Sequence, residues 1–315
     1  IVVKKGAEME TRTDTRTEAA DPLFREHWEI DLGVANRAAK TIQLYGDTLG
    51  QFESFLREMG MPLAPASITR EHVAHYLESL QKAGRAEATV AARYRALRRY
   101  FRWLMDIGER QDSPMARMQE PKIAEKMAPC LSEDDVRLLL RACAGSLWTD
   151  KRDRALIRLA VDSGLRRSEL ADLHVKDVDL AAGIVRVRRG KGGRERLAAF
   201  GRKTASDLAA YLRARRSLRD AELEWFFLGG RGGRLTASGV YQVVKNRAQR
   251  AGLKVFTHQL RHTFAHMAKA AGASDEDVMT LGGWRDHDMM RRYGASQAAA
   301  RAKEAHRAFS PGDRV

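Results

Sequence analysis

The feature that most constrains the fold is a stretch without helical pattern, residues 112–129, which separates two long regions that have one. It contains three of the seven prolines in the chain, and proline-bearing stretches without periodic apolar residues are typical of linkers. Because 315 residues also exceed the usual size of one hydrophobic core, the sequence predicts two domains. We assign residues 21–118 to the first domain, 119–130 to a linker and 131–315 to the second.

The first domain is predicted to be helical, because its apolar residues recur at three- and four-residue steps. Thr69 suits an N-cap and Gly84 a helix end. Residues 1–20 are polar and Thr-rich and lack an apolar signal core, so we expect a flexible N-terminal tail. The clearest apolar stripes are Ile42, Tyr45, Leu49, Phe52 and Leu56; Val73, Tyr76, Leu77 and Leu80; and Tyr94, Leu97, Phe101 and Leu104.

The second domain is predicted to contain more helices and one β-hairpin. A capping box from Ser132 to Asp135 opens its first helix. Residues 184–188 and 194–198 form the two strands, and the Gly-Lys-Gly-Gly run at 190–193 forms a basic tip. The fold class is therefore mainly α with a small β-hairpin or sheet (α+β). Further helices are predicted at 152–162, 168–173, 204–216, 237–251, 258–270, 275–281, 286–293 and, as a C-terminal tail, 297–309.

The charge of the chain indicates an anionic partner. Lys and Arg number 56 against 41 Asp and Glu, a net charge of +15, which should attract a polyanion. Nucleic acid is the leading candidate. An anionic membrane surface is the alternative, but the sequence has neither an apolar run of membrane-spanning length nor a basic amphipathic end helix, so we expect no membrane partner.

Four arginines lie at helical spacing beside the third apolar stripe: Arg95, Arg98, Arg99 and Arg102. Their guanidinium groups could meet successive DNA phosphates. A solvated charged face is the alternative for any such pattern. No acidic residue lies between the first and the last of these arginines, which favours DNA binding.

The cysteines and histidines do not indicate a metal or redox site. Cys130 and Cys143 match no zinc or redox spacing, which predicts reduced thiols and a cytoplasmic protein. His258, His262 and His266 follow one another at four-residue steps and could bind zinc. No carboxylate or cysteine completes an obvious site, so the prediction is no metal.

Four segments of the second domain carry unusual clusters of polar residues. In order and spacing they resemble the motifs of the tyrosine recombinase (phage integrase) family. The likeness spans the second domain, and the helical first domain resembles the family's core-binding module. The segments are Gly-Leu-Arg-Arg-Ser-Glu-Leu at 164–170, Gly-Lys-Gly-Gly at 190–193, Thr-His-Gln-Leu-Arg-His-Thr at 257–263, and Leu-Gly-Gly-Trp at 281–284 followed by Arg-Tyr at 292–293.

The resemblance assigns the two phosphate-binding arginines to Arg166 and Arg261, and it pairs Arg261 with His258. Two guanidinium forks can hold the non-bridging oxygens of a phosphodiester under attack. A histidine can exchange a proton near neutral pH. The alternatives are a structural salt bridge between Arg166 and Glu169 and an ordinary core histidine at position 258.

The resemblance makes Tyr293 the nucleophile and Lys191 the proton donor to the departing 5′-oxygen. A phenol with a pKa near 10 attacks poorly at pH 7 and needs a proton acceptor and cationic neighbours. Trp284 stands where the family usually has histidine, and its ring N–H can hold a phosphate oxygen without moving a proton. The alternatives are a phosphate-contacting lysine and a tyrosine packed in the core.

The implied activity is site-specific DNA recombination by transesterification through a 3′-phosphotyrosyl bond, without cofactor. The resemblance also implies double-stranded DNA as partner, a dimer on each site, a homotetramer on two sites with a Holliday junction, and weak association without DNA. A type IB topoisomerase-like enzyme and a non-catalytic DNA-binding regulator of the same fold remain as alternatives.

Overall fold

The computed structural model describes residues 21–124, 129–188, 195–285, 287, 290, 306–307 and 310–314. The chain divides into two compact units, one within residues 1–125 and one within residues 126–315. The predicted fold class, mainly α with a small sheet, is confirmed. The predicted N-terminal tail and hairpin tip, and most of the helices predicted at 286–293 and 297–309, lie outside the described residues.

The described part of the first unit, from residue 21 onward, contains four α-helices whose apolar stripes face one core. Leu49, Phe52, Leu97 and Phe101 are almost completely buried in it, as their three- and four-residue spacing predicts. Trp28 is buried too, with its ring stacked on that of Tyr45. The helices are α1 (Arg25–Val34), α2 (Ala39–Glu58), α3 (Arg70–Lys82) and α4 (Glu87–Asp106).

The boundaries of α3 follow from local chemistry. The Thr69 backbone N–H donates to Nδ1 of His72, 3.1 Å away, so the helix begins at the predicted threonine. At the other end Gly84 has a φ of +70°, a conformation that glycine adopts without steric cost. The predicted helix start and end are therefore confirmed.

The second unit packs seven helices of the described part around its core. A reciprocal capping box opens α5: the Asp135 N–H donates to Ser132 Oγ at 3.1 Å, and the Ser132 N–H to Asp135 Oδ2 at 3.0 Å. The helix α6 lies at the centre and contacts α5, α8, α9 and α10. The helices are α5 (Glu133–Arg141), α6 (Trp148–Ser163), α7 (Arg167–Ala171), α8 (Arg202–Arg215), α9 (Ala237–Arg250), α10 (Thr257–Ala270) and α11 (Asp275–Gly282).

A three-stranded antiparallel sheet completes the second unit. Strands β2 (Ile184–Val187) and β3 (Arg196–Ala199) form the predicted hairpin, with Val187 opposite Arg196. A short edge strand β1 (Val178–Asp179), which the sequence analysis did not predict, pairs with β2. Two residues are too few for a visible alternation of apolar and polar side chains.

Several predicted helix boundaries need correction; α8, for example, spans Arg202–Arg215 and not 204–216. Helix α6 begins at Trp148 and not at residue 152, because Asp150 accepts a hydrogen bond from the Leu147 N–H at 3.1 Å and so caps an earlier start. Helix α7 spans only Arg167–Ala171, whereas residues 168–173 were predicted. Buried Leu173 continues the apolar pattern beyond the last helical turn.

Candidate active site

Arg166 lies in a sharp turn between α6 and α7. Gly164 ends α6 with a φ of +61°, and a Cβ there would fall 2.5 Å from the ring of Phe264. Both facts require glycine, so the Gly-Leu-Arg motif is a turn that fixes the start of the Arg166 side chain. Arg166 Nη1 donates to Glu169 Oε1 and Nη2 donates to the Gly283 carbonyl, each at 2.8 Å.

The predicted alternative role for Arg166, an ion pair with Glu169, is therefore present in the structure. It does not fully occupy the guanidinium, because the second nitrogen reaches the segment at 281–284. The Glu169 carboxylate also accepts from the Arg166 backbone N–H at 2.8 Å. Arg166 is thus held by its own helix and by a segment 117 residues further along the chain.

Arg261 is the most deeply buried of the four predicted catalytic residues that the structure describes, with 2% of its surface exposed. Its Nη1 donates to the carbonyl oxygens of Gly164 and Gly282, the latter at 2.6 Å. The ends of α6 and α11 are thereby tied to one guanidinium. The Cζ atom of Arg261 lies 3.7 Å from the centre of the Trp284 ring. This cation–π contact fixes the plane of the guanidinium group.

His258 lies one turn before Arg261 on α10 and has access to solvent. Partial desolvation lowers the pKa of its imidazole, and the positive charges of Arg261 and Arg166 lower that pKa further. Buried His262 packs edge-on against it, with ring centres 4.4 Å apart. Burial, and then the neighbouring His258 and Arg261, lower the pKa of His262 to about 4.

Trp284 follows directly on Gly283 and is held on both sides. Its ring lies parallel to that of Phe264, with centres 6.2 Å apart, while Arg261 contacts the ring as described. Gly282 is required next to it, because a Cβ at that position would overlap the indole at 1.8 Å. The structure therefore brings together four of the six predicted catalytic residues: Arg166, His258, Arg261 and Trp284.

The other two predicted catalytic residues, Lys191 and Tyr293, lie outside the described residues. The hairpin strands β2 and β3 frame the segment that contains Lys191, and their last pair, Val187 and Arg196, is in register. The positions of both side chains therefore remain predictions.

The sequence analysis missed one residue of this site, Arg196. It lies on β3 and forms two hydrogen bonds to Glu169, at 2.9 and 2.7 Å. The available signal was the two-residue alternation of a strand: buried Ala198 shares a face with Arg196, so the arginine points inward. An inward arginine requires a carboxylate or carbonyl partner.

The four arginines predicted to bind DNA lie on one exposed face of α4. Arg95 pairs with Glu120, at 3.2 Å, and both side chains are largely in solvent. Arg93, which belongs to the same run, points to another side and donates to Thr48 Oγ1 at 2.6 Å.

Within the described ranges the structure contains neither a metal-binding group of side chains nor a disulfide. No group of three or more His, Cys, Asp and Glu side chains there is placed to hold a metal. Both cysteines are free thiols, and burial raises the pKa of Cys143 to about 12. No helix of the described residues is long and apolar enough to span a bilayer.

Comparison with known proteins gives consistent matches over both units. Residues 129–300 match the model of the phage integrase family, and residues 26–108 match that of the phage integrase N-terminal SAM-like domain. The tyrosine recombinase XerC of Pelotomaculum thermopropionicum is 34% identical over 243 residues, which cover 75% of this chain and 79% of that protein.

Solved structures of related fold include DNA complexes. The XerH site-specific recombinase on a palindromic difH substrate, in a post-cleavage complex, matches with a TM-score of 0.72 and 20% identity, covering 94% of this chain and 90% of that one. A lambda integrase tetramer on a Holliday junction matches with a TM-score of 0.65 and 18% identity, covering 89% and 83%. With the family model matched over more than half its length, this chain belongs to the phage integrase family of tyrosine recombinases.

Proposed function

We propose that this protein is a site-specific DNA recombinase that breaks and rejoins strands by transesterification, with Tyr293 as nucleophile. One observation carries the proposal: Arg166 and Arg261, from two different helices, both donate hydrogen bonds to the segment at 281–284, and His258 lies one turn before Arg261 on α10. Two fixed guanidinium groups and a titratable imidazole in one place are what a phosphodiester under attack requires.

In this mechanism Arg166 and Arg261 bind the non-bridging oxygens of the scissile phosphate. Negative charge on those oxygens grows in the transition state, so their hydrogen bonds strengthen as the reaction proceeds. The contacts of both arginines to backbone carbonyls fix the guanidinium planes beforehand. Preorganised donors of this kind need no reorientation during the reaction.

His258 accepts the phenolic proton of Tyr293. Its lowered pKa keeps the imidazole neutral at pH 7, which is the form that can accept a proton. The tyrosine oxygen then attacks phosphorus, a 3′-phosphotyrosyl bond forms, and the 5′-oxygen leaves with a proton from Lys191. The later attack of a 5′-hydroxyl reverses these steps, so the energy of the phosphodiester is conserved without a nucleotide.

Trp284 supports the arginine geometry in this proposal. The indole cannot accept a proton, and its ring already contacts the Arg261 guanidinium. We assign proton transfer to His258 and Lys191 and to no cofactor.

We propose further that residues 21–118 form a DNA-binding domain, that 119–130 connect it to the catalytic domain at 131–315, and that α4 faces the duplex. Arg95, Arg98, Arg99 and Arg102 are exposed along one face, where guanidinium groups can neutralise successive phosphates. The lambda integrase tetramer on a Holliday junction supports a tetramer on two sites, and a lambda integrase dimer on a COC' core site supports a dimer on each site. Relatives such as that of Pelotomaculum suggest action on DNA in the bacterial cytoplasm.

The test is covalent trapping. Purified protein in EDTA is mixed with nicked or bulged duplexes from its genomic neighbourhood, and denaturing gels report protein bonded to a 3′ end. We expect an adduct from the native chain and from the control Tyr241→Phe, but none from Tyr293→Phe. DNA binding without any adduct would favour a non-catalytic regulator, and relaxation of supercoils without site dependence would favour a topoisomerase.

A further inference from the structure

Three successive backbone carbonyls, those of residues 281–283, each accept a hydrogen bond from a different arginine. Arg196 Nε lies 3.1 Å from the first oxygen, Arg261 Nη1 2.6 Å from the second and Arg166 Nη2 2.8 Å from the third. These carbonyls end α11. The last carbonyls of a helix lack partners within it and form the negative end of its dipole, so cationic donors are favourable there.

Arg196 and Arg166 also share one carboxylate. Glu169 Oε1 accepts from Nη1 of both arginines, at 2.9 and 2.8 Å, and Oε2 accepts from Arg196 Nη2 at 2.7 Å. The side chains of Glu169 and Arg196 are 4% and 11% exposed. Burial raises the pKa of Glu169, but its hydrogen bonds to Arg196 and Arg166 outweigh burial and lower that pKa overall, so the carboxylate stays charged.

The backbone leaves room for Arg196 at one position. Gly283 has a φ of +70°, and a Cβ there would fall 2.8 Å from Arg196 Nε. Any other residue at 283 would displace the arginine from the carbonyl of Leu281. Arg196 therefore occupies a place that Gly283 keeps open.

We propose that Arg196 is a positioning residue for the strand-cleavage reaction: it balances the charge of Glu169 and holds the 281–283 carbonyls, so that Arg166 keeps both its orientation and its positive charge for the phosphate. The inference rests on the proposed function. Two guanidinium groups around one carboxylate leave a net charge of +1. Without Arg196, Glu169 would neutralise Arg166 alone, and a neutral pair attracts a phosphate weakly.

The experiment compares single-turnover adduct formation on a nicked duplex for four variants. Arg196→Met should cleave roughly 10- to 100-fold more slowly than the native chain, as expected for a misplaced catalytic group. Arg196→Lys should lie between them, because an ammonium restores charge but not the bidentate geometry. The double variant Arg196→Met with Glu169→Gln should recover about fivefold or more over Arg196→Met, since the unbalanced carboxylate is gone.

A matched control comes from the same hairpin. Arg188 pairs with Asp177 at 2.6 Å and not with the Glu169 carboxylate that Arg196 and Arg166 share, so Arg188→Met should stay within about threefold of the native rate. Thermal unfolding of each variant shows whether it is folded. If Arg196 had only a structural role, the cleavage rate of the double variant would not recover.

Native cleavage rates for Arg196→Met, or a double variant no faster than Arg196→Met, would overturn the inference and leave the proposed function intact. If Arg196→Met fails to fold, the comparison of Arg196→Lys with the double variant decides in the same way. If the native chain forms no adduct on any duplex while binding DNA, the proposed function fails and the inference fails with it.

Discussion

The two groups of arginines in this protein differ in surroundings. The four predicted DNA-binding arginines of α4 (Arg95, Arg98, Arg99 and Arg102) are exposed to solvent, and Arg95 pairs with Glu120. Those of the second unit, Arg166, Arg196 and Arg261, are partly or fully buried, and each donates to carbonyl or carboxylate oxygens at 2.6–3.1 Å. Exposed arginines contribute charge that salt screens, whereas buried ones contribute fixed directions.

Arginine therefore serves two purposes in this basic chain, one at exposed positions and one at buried positions. An exposed guanidinium can contact any of several neighbouring phosphates and needs no particular rotamer. A buried one must have partners, because an unpaired buried charge is costly. The following predictions separate burial, catalytic geometry and charge, in order of decreasing expected effect.

The largest effect should come from a buried arginine outside the site. Arg247 Nε and Nη2 donate to Asp153 and Asp150 at 2.8 and 2.7 Å. Arg247→Met leaves two buried carboxylates short of a partner, so we expect the free energy of unfolding to fall by about 3–5 kcal/mol. Urea unfolding measures it. The fraction still folded should form adduct at the native rate, and a specific loss of cleavage would instead put Arg247 in the active site.

The next effect tests catalytic geometry. In Arg261→Lys the charge remains but the guanidinium, whose Nη1 joins the Gly164 and Gly282 carbonyls, is lost, so adduct formation at saturating protein should fall about 100- to 1000-fold. DNA affinity in gel-shift titrations should change by less than about threefold, because the many contacts to DNA phosphates dominate the affinity. A cleavage rate equal to that of the native chain would remove Arg261 from the mechanism.

The exposed group should show the opposite behaviour. Arg98→Ala combined with Arg99→Ala should weaken binding to every duplex alike and reduce the slope of log affinity against log salt by roughly 2. Fluorescence anisotropy over a salt series measures this slope. Cleavage by the fully bound double variant should match the native rate. An unchanged slope would indicate that α4 does not face DNA.

The smallest effect concerns His258. The charges of Arg261 and Arg166 disfavour the imidazolium, so the lowered pKa of His258 should rise toward its ordinary value near 6.5 in Arg166→Gln and stay unchanged in Arg98→Ala. Deuterium exchange at the imidazole C2, read by mass spectrometry across pH, gives the pKa. Native cleavage should decline as pH falls through that lowered pKa, since the base becomes protonated. An equal shift in both variants would argue for a general charge effect.

Much of this architecture follows from local sequence. The three- and four-residue apolar steps predicted α2, α3 and α4, and the capping box from Ser132 to Asp135 predicted the start of α5. These features depend on residues three or four apart, so the local sequence is enough to predict them. The ordered motifs indicated the family. The edge strand β1 escaped prediction, since two residues carry no periodic signal.

Local sequence patterns predicted most of the helices, the basic character of the chain and the motif residues Arg166, His258, Arg261 and Trp284. Which arginines point inward, and which groups bind them, depends on how the elements pack in three dimensions. Arg196 belongs to a hairpin that the sequence predicts to carry a basic tip, yet it binds Glu169, 27 residues away, and the carbonyl of Leu281, 85 residues away. Partners so distant along the chain leave no local pattern, because they meet only when the helices and the sheet pack around a common core.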